Sequence, residues 1–214
     1  MLPKFIFIHI PKTAGTSFRE NVLKPLYKNK FYYDKFIGLD SKKREYSLKN
    51  DLILYNWDTF IFPDNYENYD VVGGHFTFDK YKHLNLPVIT FLRDPVERMI
   101  SHYYFYREAS KIYMNKSIVE FSGIYANFMT RQLGYNMDRL YFIGFTEYYN
   151  ESIKVFADKF ELELPKKKNK KHRESKSMHT ITNEERKAIK EMNKEDYKLY
   201  QSALDKFNKE NIIC

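Results

Sequence analysis

The sequence predicts a three-layer α/β domain, with a central, mainly parallel sheet flanked by helices. Three observations carry this expectation. Short runs rich in aromatic and β-branched residues recur along the chain, FIFIHI at 5–10, PVITFL at 87–92 and LYFIGF at 140–145, as strands buried on both faces should. Each is followed by a segment with helical apolar spacing, the alternation that builds a parallel sheet. The 214 residues suit one folding unit, and no repeat, low-complexity linker or composition break divides them, so a single domain over 1–214 is expected.

Residues 5–10 are bounded by Pro11 and read as the first buried strand. KTAGTS then leads into a helix whose Phe18, Val22 and Leu26 recur every four residues, with Pro25 near its end. From 28 to 69 the pattern is mixed; LILYNWDTFIF (52–62) suggests a further strand or buried segment. YDVVGGH (69–75) reads as a short strand ending in a glycine pair. PVITFL runs directly into RDPVER, where Asp94 can cap a helix, Pro95 takes its first position and Glu97 its third, predicting a helix from 95 to about 110. Residues 117–131 read as helical with Gly134 as a stop, residues 140–145 as a strand, and 147 to about 160 as a helix. Thr182 and Glu185 form a capping box that opens one or two helices carrying Ile189, Met192, Tyr197, Tyr200, Leu204 and Phe207.

With 36 Lys plus Arg against 28 Asp plus Glu, the net charge is +8. That excess points to an anionic partner: nucleic acid, an anionic membrane surface, a nucleotide or an acidic polysaccharide. The densest basic block is KKKNKKHRESK at 166–176. No apolar run approaches the roughly 20 residues of a spanning helix, and MLPKFIFIHIPK at the start does not have the build of a signal peptide, so no transmembrane segment is expected and a cytoplasmic location is. The single cysteine, Cys214, excludes an internal disulfide framework and a cysteine-based zinc site. His83, His172 and His179 have no second ligand at metal spacing, so no metal site is expected.

The segment HIPKTAGTS (9–17) places a lysine, small residues and three hydroxyls where a strand turns into a helix. A helix N-terminus offers unpaired N–H groups and the positive end of the macrodipole, so an anionic oxygen there gains several donors at once. Ala14 and Gly15 leave room for close backbone approach, and Lys12, Thr13, Thr16 and Ser17 can add side-chain contacts. The pattern is not a Walker A loop, because Lys12 precedes the only glycine, and no G-x-G-x-x-G occurs in the chain. Nor does an acidic residue stand out at a strand end to hold magnesium. The loop suits a nucleotide whose reactive group needs no metal clamp. In FLRDPVERMISHYYF (91–105), Arg93 lies at a strand's C-terminal end, which in open α/β sheets points into the ligand crevice, and Ser101 lies in the following helix. Asp94, Arg98, Ser101 and His102 share one helical face, and Met99, Tyr103 and Tyr106 form another that is expected to pack inward. The bland alternatives are an ordinary strand-to-helix turn with a surface lysine, and an intrahelical Asp94–Arg98 pair with a solvated arginine.

HIPKTAGTS resembles the 5′-phosphosulfate loop, and RDPVERMISHYY the 3′-phosphate segment, of sulfotransferases that use 3′-phosphoadenylyl sulfate (PAPS). The likeness is strongest to the carbohydrate sulfotransferase group that includes heparan sulfate 2-O-sulfotransferase. GGHFTFDKY (73–81), NFMTRQLG (127–134), FIGFTEYYNESI (142–153) and DYKLYQSALDKF (196–207) follow in order, and 28–69 is unmatched. The resemblance implies a P-loop-like fold, PAPS as co-substrate, adenosine 3′,5′-bisphosphate as product, and a hydroxyl acceptor, expected to be a saccharide. It implies that Lys12 contacts the leaving phosphate and bridging oxygen, that Thr13, Ala14, Gly15, Thr16 and Ser17 hold the 5′-phosphosulfate, and that Arg93 and Ser101 bind the 3′-phosphate. His75 matches the group's general base. Where the 2-O-sulfotransferase pattern has His-Gly-His, this chain has Gly73-Gly74-His75, so His75 is the sole candidate base. The family's cofactor-binding loop before the last helices matches 170–177 and brings in Lys171, Arg173 and Ser177.

The residues suit the chemistry on their own terms. A sugar hydroxyl needs a base near neutrality, which histidine supplies, and a lysine aimed at a leaving oxygen stabilises charge that builds in the transition state. His9, inside an apolar run, reads as a hydrogen-bonded core residue. Two other functions fit parts of the sequence: an ATP- and magnesium-dependent phosphotransferase, against which the displaced lysine stands, and a nonenzymatic binder of nucleic acid or anionic glycan. With both ends of a nucleotide accounted for, a nucleic-acid partner is not needed to explain the charge.

Overall fold

A computed structural model describes residues 2–34, 65–109, 115–134, 137–165 and 181–211. Five strands, β1 (Phe5–Ile8), β2 (Phe31–Asp34), β3 (Val71–Gly74), β4 (Val88–Leu92) and β5 (Leu140–Phe145), form one sheet in the order β2-β3-β1-β4-β5. Every neighbouring pair is parallel. Within β1 the side chains alternate between two cores: Ile6 and Ile8 face one, Phe5 and Phe7 the other. The strand reads as continuously apolar because both faces are covered.

One face is covered by α1 (Gly15–Phe18), which continues through a π-helical turn (Arg19–Leu23) into α2 (Lys24–Tyr27). Pro25 lacks the N–H that an α-helix needs, and the wide turn just before it absorbs the mismatch. That turn shifts the inward phase: Phe18 and Val22 are buried as the spacing predicts, but Leu23 and Tyr27 follow them inward rather than Leu26, which is only partly buried. Helix α6 (Tyr149–Lys159) completes this layer with Ile153 and Phe156. The opposite face carries α3 (Pro95–Ala109), α4 (Ile118–Ile124), α5 (Phe128–Leu133), α7 (Asn183–Met192) and α8 (Lys194–Asn211).

Several boundaries differ from the sequence reading. β1 stops at Ile8, short of residue 10, because its pairing with β3 and β4 ends there. β2 lies in the stretch that had no assignment, whereas 52–62 falls outside the described residues. The helix expected from 147 begins at Tyr149, because the Glu147 carboxylate accepts from the Asp94 N–H at 2.9 Å and from the Tyr200 hydroxyl at 3.2 Å. The Asp94 carboxylate makes no intrahelical pair with Arg98: one oxygen caps α3 through Val96 and Glu97 N–H, the other accepts from Tyr197, and Arg98 and His102 are buried rather than solvent-facing. The continuous helix expected over 117–131 is two helices, α4 and α5, broken at Asn127, whose φ is 51°.

Tertiary bonding overrides local propensity at that break. The Asn127 amide oxygen accepts from the N–H groups of Glu195 and Asp196, and its own N–H donates to Asn193 Oδ1. Asp196, fully buried, returns the favour by accepting from Met129 N–H (3.1 Å), Thr130 N–H (2.8 Å) and Thr130 Oγ1 (2.7 Å). Each of α5 and α8 therefore begins on a side chain supplied by the other. Asp196→Ala removes three bonds to a buried carboxylate and is expected to destabilise the protein by about 2–4 kcal/mol. Denaturant unfolding checks this as a lowered midpoint; an unchanged midpoint would rule out a structural role for the cap.

Candidate active site

In an open parallel sheet the loops at the strand C-termini part where the chain reverses direction across the sheet. Here that point lies between β1, which leads toward β2 and β3, and β4 on its other side. The loop after β1 is held in an unusual shape: Lys12 and Ala14 both take left-handed backbone angles, φ 71° and 63°. Non-glycine residues adopt such angles at a cost that surrounding structure must offset. Thr13 does this from below, its buried hydroxyl donating to the Ile10 carbonyl at 2.8 Å. Arg93, just past β4, does it from the side, with Nη1 3.4 Å from the Lys12 carbonyl. Left-handed residues on either side of Thr13 bend the backbone into the kind of turn that presents N–H groups to an anion. No side chain caps the helix that follows.

A cleft of about 550 Å³ opens over this loop. Of the residues singled out from sequence, Lys12, Ala14, Gly15, Thr16, Ser17, His75, Arg93 and Ser101 all line it. Thr13 does not; its hydroxyl is spent inside the loop. Lys171, Arg173 and Ser177 lie outside the described residues. Among the described lining residues none is acidic, and Lys12 and Arg93 carry positive charge, so the cleft favours an anion with several oxygens. Among the described residues, no cluster of three or more His, Cys, Asp or Glu stands ready to hold a metal.

The sequence reading missed several contributors. His9, read as core, is buried but also forms cleft wall, and a Cβ added at Gly15 would fall on its ring. Gly15 is thus required by an imidazole and not only by an incoming ligand. Phe105, half exposed at the cleft, holds the Lys12 ammonium 4.6 Å above its ring. Thr146, after β5, is tied to the Leu92 carbonyl through both N–H and hydroxyl. The signal for His9 was its place inside the loop motif, masked by the apolar residues around it.

The glycine pair ahead of His75 has a packing reason: a Cβ at Gly74 would strike the Asp34 carbonyl, and one at Gly73 would press on Phe31 and Phe7. His75 then stacks on His9 with ring centroids 4.3 Å apart. His75 Nδ1 lies 2.6 Å from the His9 carbonyl oxygen. A carbonyl only accepts, so Nδ1 carries the hydrogen and Nε2 of the neutral ring keeps its lone pair. Gln132 approaches the same carbonyl and donates to Phe76 O at 3.1 Å. Burial pushes the His75 pKa down to about 4, its hydrogen bond to His9 opposing and the Arg19 charge adding to the shift. Burial likewise holds His9 well below the ordinary histidine range, with His75 and Arg19 contributing. His102 follows suit through burial and the charges of Arg98 and Lys12.

The sequence pattern of the Sulfotransferase family matches residues 3–161. The chain belongs to the sulfotransferase family. Among curated relatives, heparan sulfate 2-O-sulfotransferase hst-2 of Caenorhabditis elegans is 29% identical over 109 residues, which cover 48% of this chain and 32% of that protein. This sulfotransferase-family chain therefore spans about a third of the length of the curated relative it matches. Among solved structures, mouse sulfotransferase SULT7A1 complexed with PAP aligns at a TM-score of 0.49 and 14% identity, covering 76% of this chain and 60% of that one. Retinol dehydratase in complex with androsterone and inactive cofactor PAP aligns at 0.40 and 16%, covering 92% and 66%.

In the free protein His75 is expected to remain neutral far below pH 6.5, and an NMR titration of its ring should show protonation near pH 4. Because the folded value lies below the unfolded one, acidification protonates the unfolded chain first. The stability carried by this residue is complete above about pH 6.5 and is lost as pH falls toward 4. A titration midpoint at 6 or above would contradict the half-buried, hydrogen-bonded placement.

Proposed function

We propose that this chain moves a sulfuryl group from PAPS to a hydroxyl of an acceptor, by in-line displacement with His75 as general base. One observation carries the reading: Lys12, the helix start at Gly15, Arg93 and Ser101 share a cleft with a neutral imidazole whose Nε2 is unprotonated. Family membership supports the reaction class, and the curated relative's name supports a saccharide acceptor.

The donor set fits a nucleotide with anionic groups at both ends of its ribose. Cations, hydroxyls and backbone N–H groups line the cleft without a carboxylate among the described residues to repel phosphate. Lys12 and the backbone and hydroxyls of 15–17 would hold the 5′ end, and Arg93 and Ser101 the 3′-phosphate, with Lys171, Arg173 and Ser177 of the stretch 170–177 joining them. When bound, the nucleotide supplies a sulfuryl group on an anionic leaving group. His75 Nε2 takes the acceptor hydroxyl's proton, and the Lys12 ammonium offsets charge that develops on the departing oxygen. At a pKa of about 4 His75 is a weak base, but anionic groups entering the cleft favour its protonated form and raise that value toward neutrality.

Lys12→Ala is expected to lose about 10²–10³-fold in turnover and to weaken nucleotide binding. His75→Ala should lose about 10²–10⁴-fold in turnover while keeping near-normal affinity for adenosine 3′,5′-bisphosphate. Turnover with labelled PAPS and thermal shift with the bisphosphate check both; full activity in His75→Ala would refute the base. Stabilisation by ATP with magnesium or by an oligonucleotide, without any by the bisphosphate, would overturn the reaction class.

A further inference from the structure

His9, buried, and His75, half-buried, are stacked and neutral, yet their outer hydrogen bonds differ in kind. His75 Nδ1 faces a carbonyl, which settles its tautomer. His9 Nδ1 instead faces the Tyr33 hydroxyl at 2.5 Å, a group that can donate or accept. The surroundings of Tyr33 favour donation to His9. The Arg19 guanidinium lies over its ring, Cζ 4.3 Å from the centroid, with Nε fixed at 2.8 Å on Glu20. A guanidinium has only donors and cannot take the phenol proton, so Arg19 does not compete with His9 Nδ1 as its acceptor. Burial also pushes the Tyr33 pKa up to about 12 even against the charge of Arg19, so that proton is retained.

The far side of the His9 ring points the same way. The Cδ2–Nε2 edge occupies the space where a Cβ on Gly15 would stand, at the start of the anion-facing helix, and His9 lines the cleft. A lone pair there would face the oxygens of an incoming anion, whereas an N–H would bind them.

We propose that Tyr33 fixes His9 as the Nε2–H tautomer, making His9 a hydrogen-bond donor to the anion held at Gly15, while the stacked His75 is held as the opposite tautomer with Nε2 as acceptor. Tyr33 is thus a positioning residue, and two adjacent imidazoles divide the work: one grips the anionic group, the other takes a proton. The identity of the anion, the 5′-phosphosulfate end of the nucleotide, rests on the sulfotransferase reading; the tautomers do not. The imidazole stacked on His75 comes from the residue after β1 and not from position 73, where a Cβ would press on Phe31 and Phe7.

Long-range ¹⁵N–¹H correlation spectra of the wild-type chain test this directly. They should show Nε2–H for His9 and Nδ1–H for His75. In Tyr33→Phe, His9 should lose its fixed tautomer while His75 keeps its own, and affinity for adenosine 3′,5′-bisphosphate should fall about tenfold. His9→Gln, whose amide nitrogen reaches about as far as Nε2, should retain more of that affinity than His9→Asn. An Nδ1–H His9 in the wild type, or an unchanged His9 spectrum in Tyr33→Phe, overturns the proposal. If the wild type shows the expected tautomers but ignores the bisphosphate, the sulfotransferase reading fails instead, and inorganic sulfate becomes the probe: it should shift the His9 Nε2–H signal, and no shift overturns the donor role.

Discussion

All strands of a parallel sheet end at the same edge, and this constraint organises the molecule. β1 lies between β3 and β4, so the three segments that follow these strands must meet: the loop at 9–14, His75 and Arg93. The register makes the meeting close. Ile8 pairs with both Gly74 and Thr90, and the next peptide N–H, that of His9, still reaches the Gly74 carbonyl at 2.8 Å. Residues 66 and 84 positions apart in the chain are thereby placed side by side before any side-chain chemistry is considered.

The packing then supplies what the backbone cannot. Phe5 and Phe7 on one face, with Ile6 and Ile8 on the other, clamp β1 between two cores, so the loop that leaves it starts from a rigid base. Left-handed angles at Lys12 and Ala14 survive because Thr13 and Arg93 tie down the neighbouring carbonyls. The C-terminal helices reach the same site indirectly. Tyr197 and Tyr200 hold Asp94 and Glu147, the two carboxylates at the start of α3 and the end of β5, which keeps the helix that carries Ser101 aligned with the strands.

Much of this was legible in the sequence because it is written locally. Aromatic and β-branched runs marked β1, β4 and β5, the Asp94 cap marked α3 and a capping box marked α7, and the two motifs named most of the cleft wall. What stayed hidden depends on distant partners. β2 (FYYD) has no apolar alternation of its own, since only Asp34 in it is fully buried, through ion pairing with Lys80 and a hydrogen bond from Tyr81. The break at Asn127 is dictated by residues 66 to 69 positions away. His9 looked like a core residue because it is one; its place in the cleft wall shows only when β3 brings His75 onto its face. Arg98 and His102 read as a polar face, yet packing from α4 and α5 encloses them, with Phe121, Tyr125 and Phe128 around the imidazole.

The mutual capping of α5 and α8 carries a consequence for how the protein comes into being. A chain made from its N-terminus exposes the Met129 and Thr130 donors well before Asp196 exists to receive them. Gln132, on the same short helix, is the side chain that reaches the carbonyls of His9 and Phe76. The sheet and its loops can therefore assemble early in synthesis, but the wall that braces the two imidazoles is secured only after the last helix has been translated. A half-made chain holds the parts of the site without the geometry that would let them act.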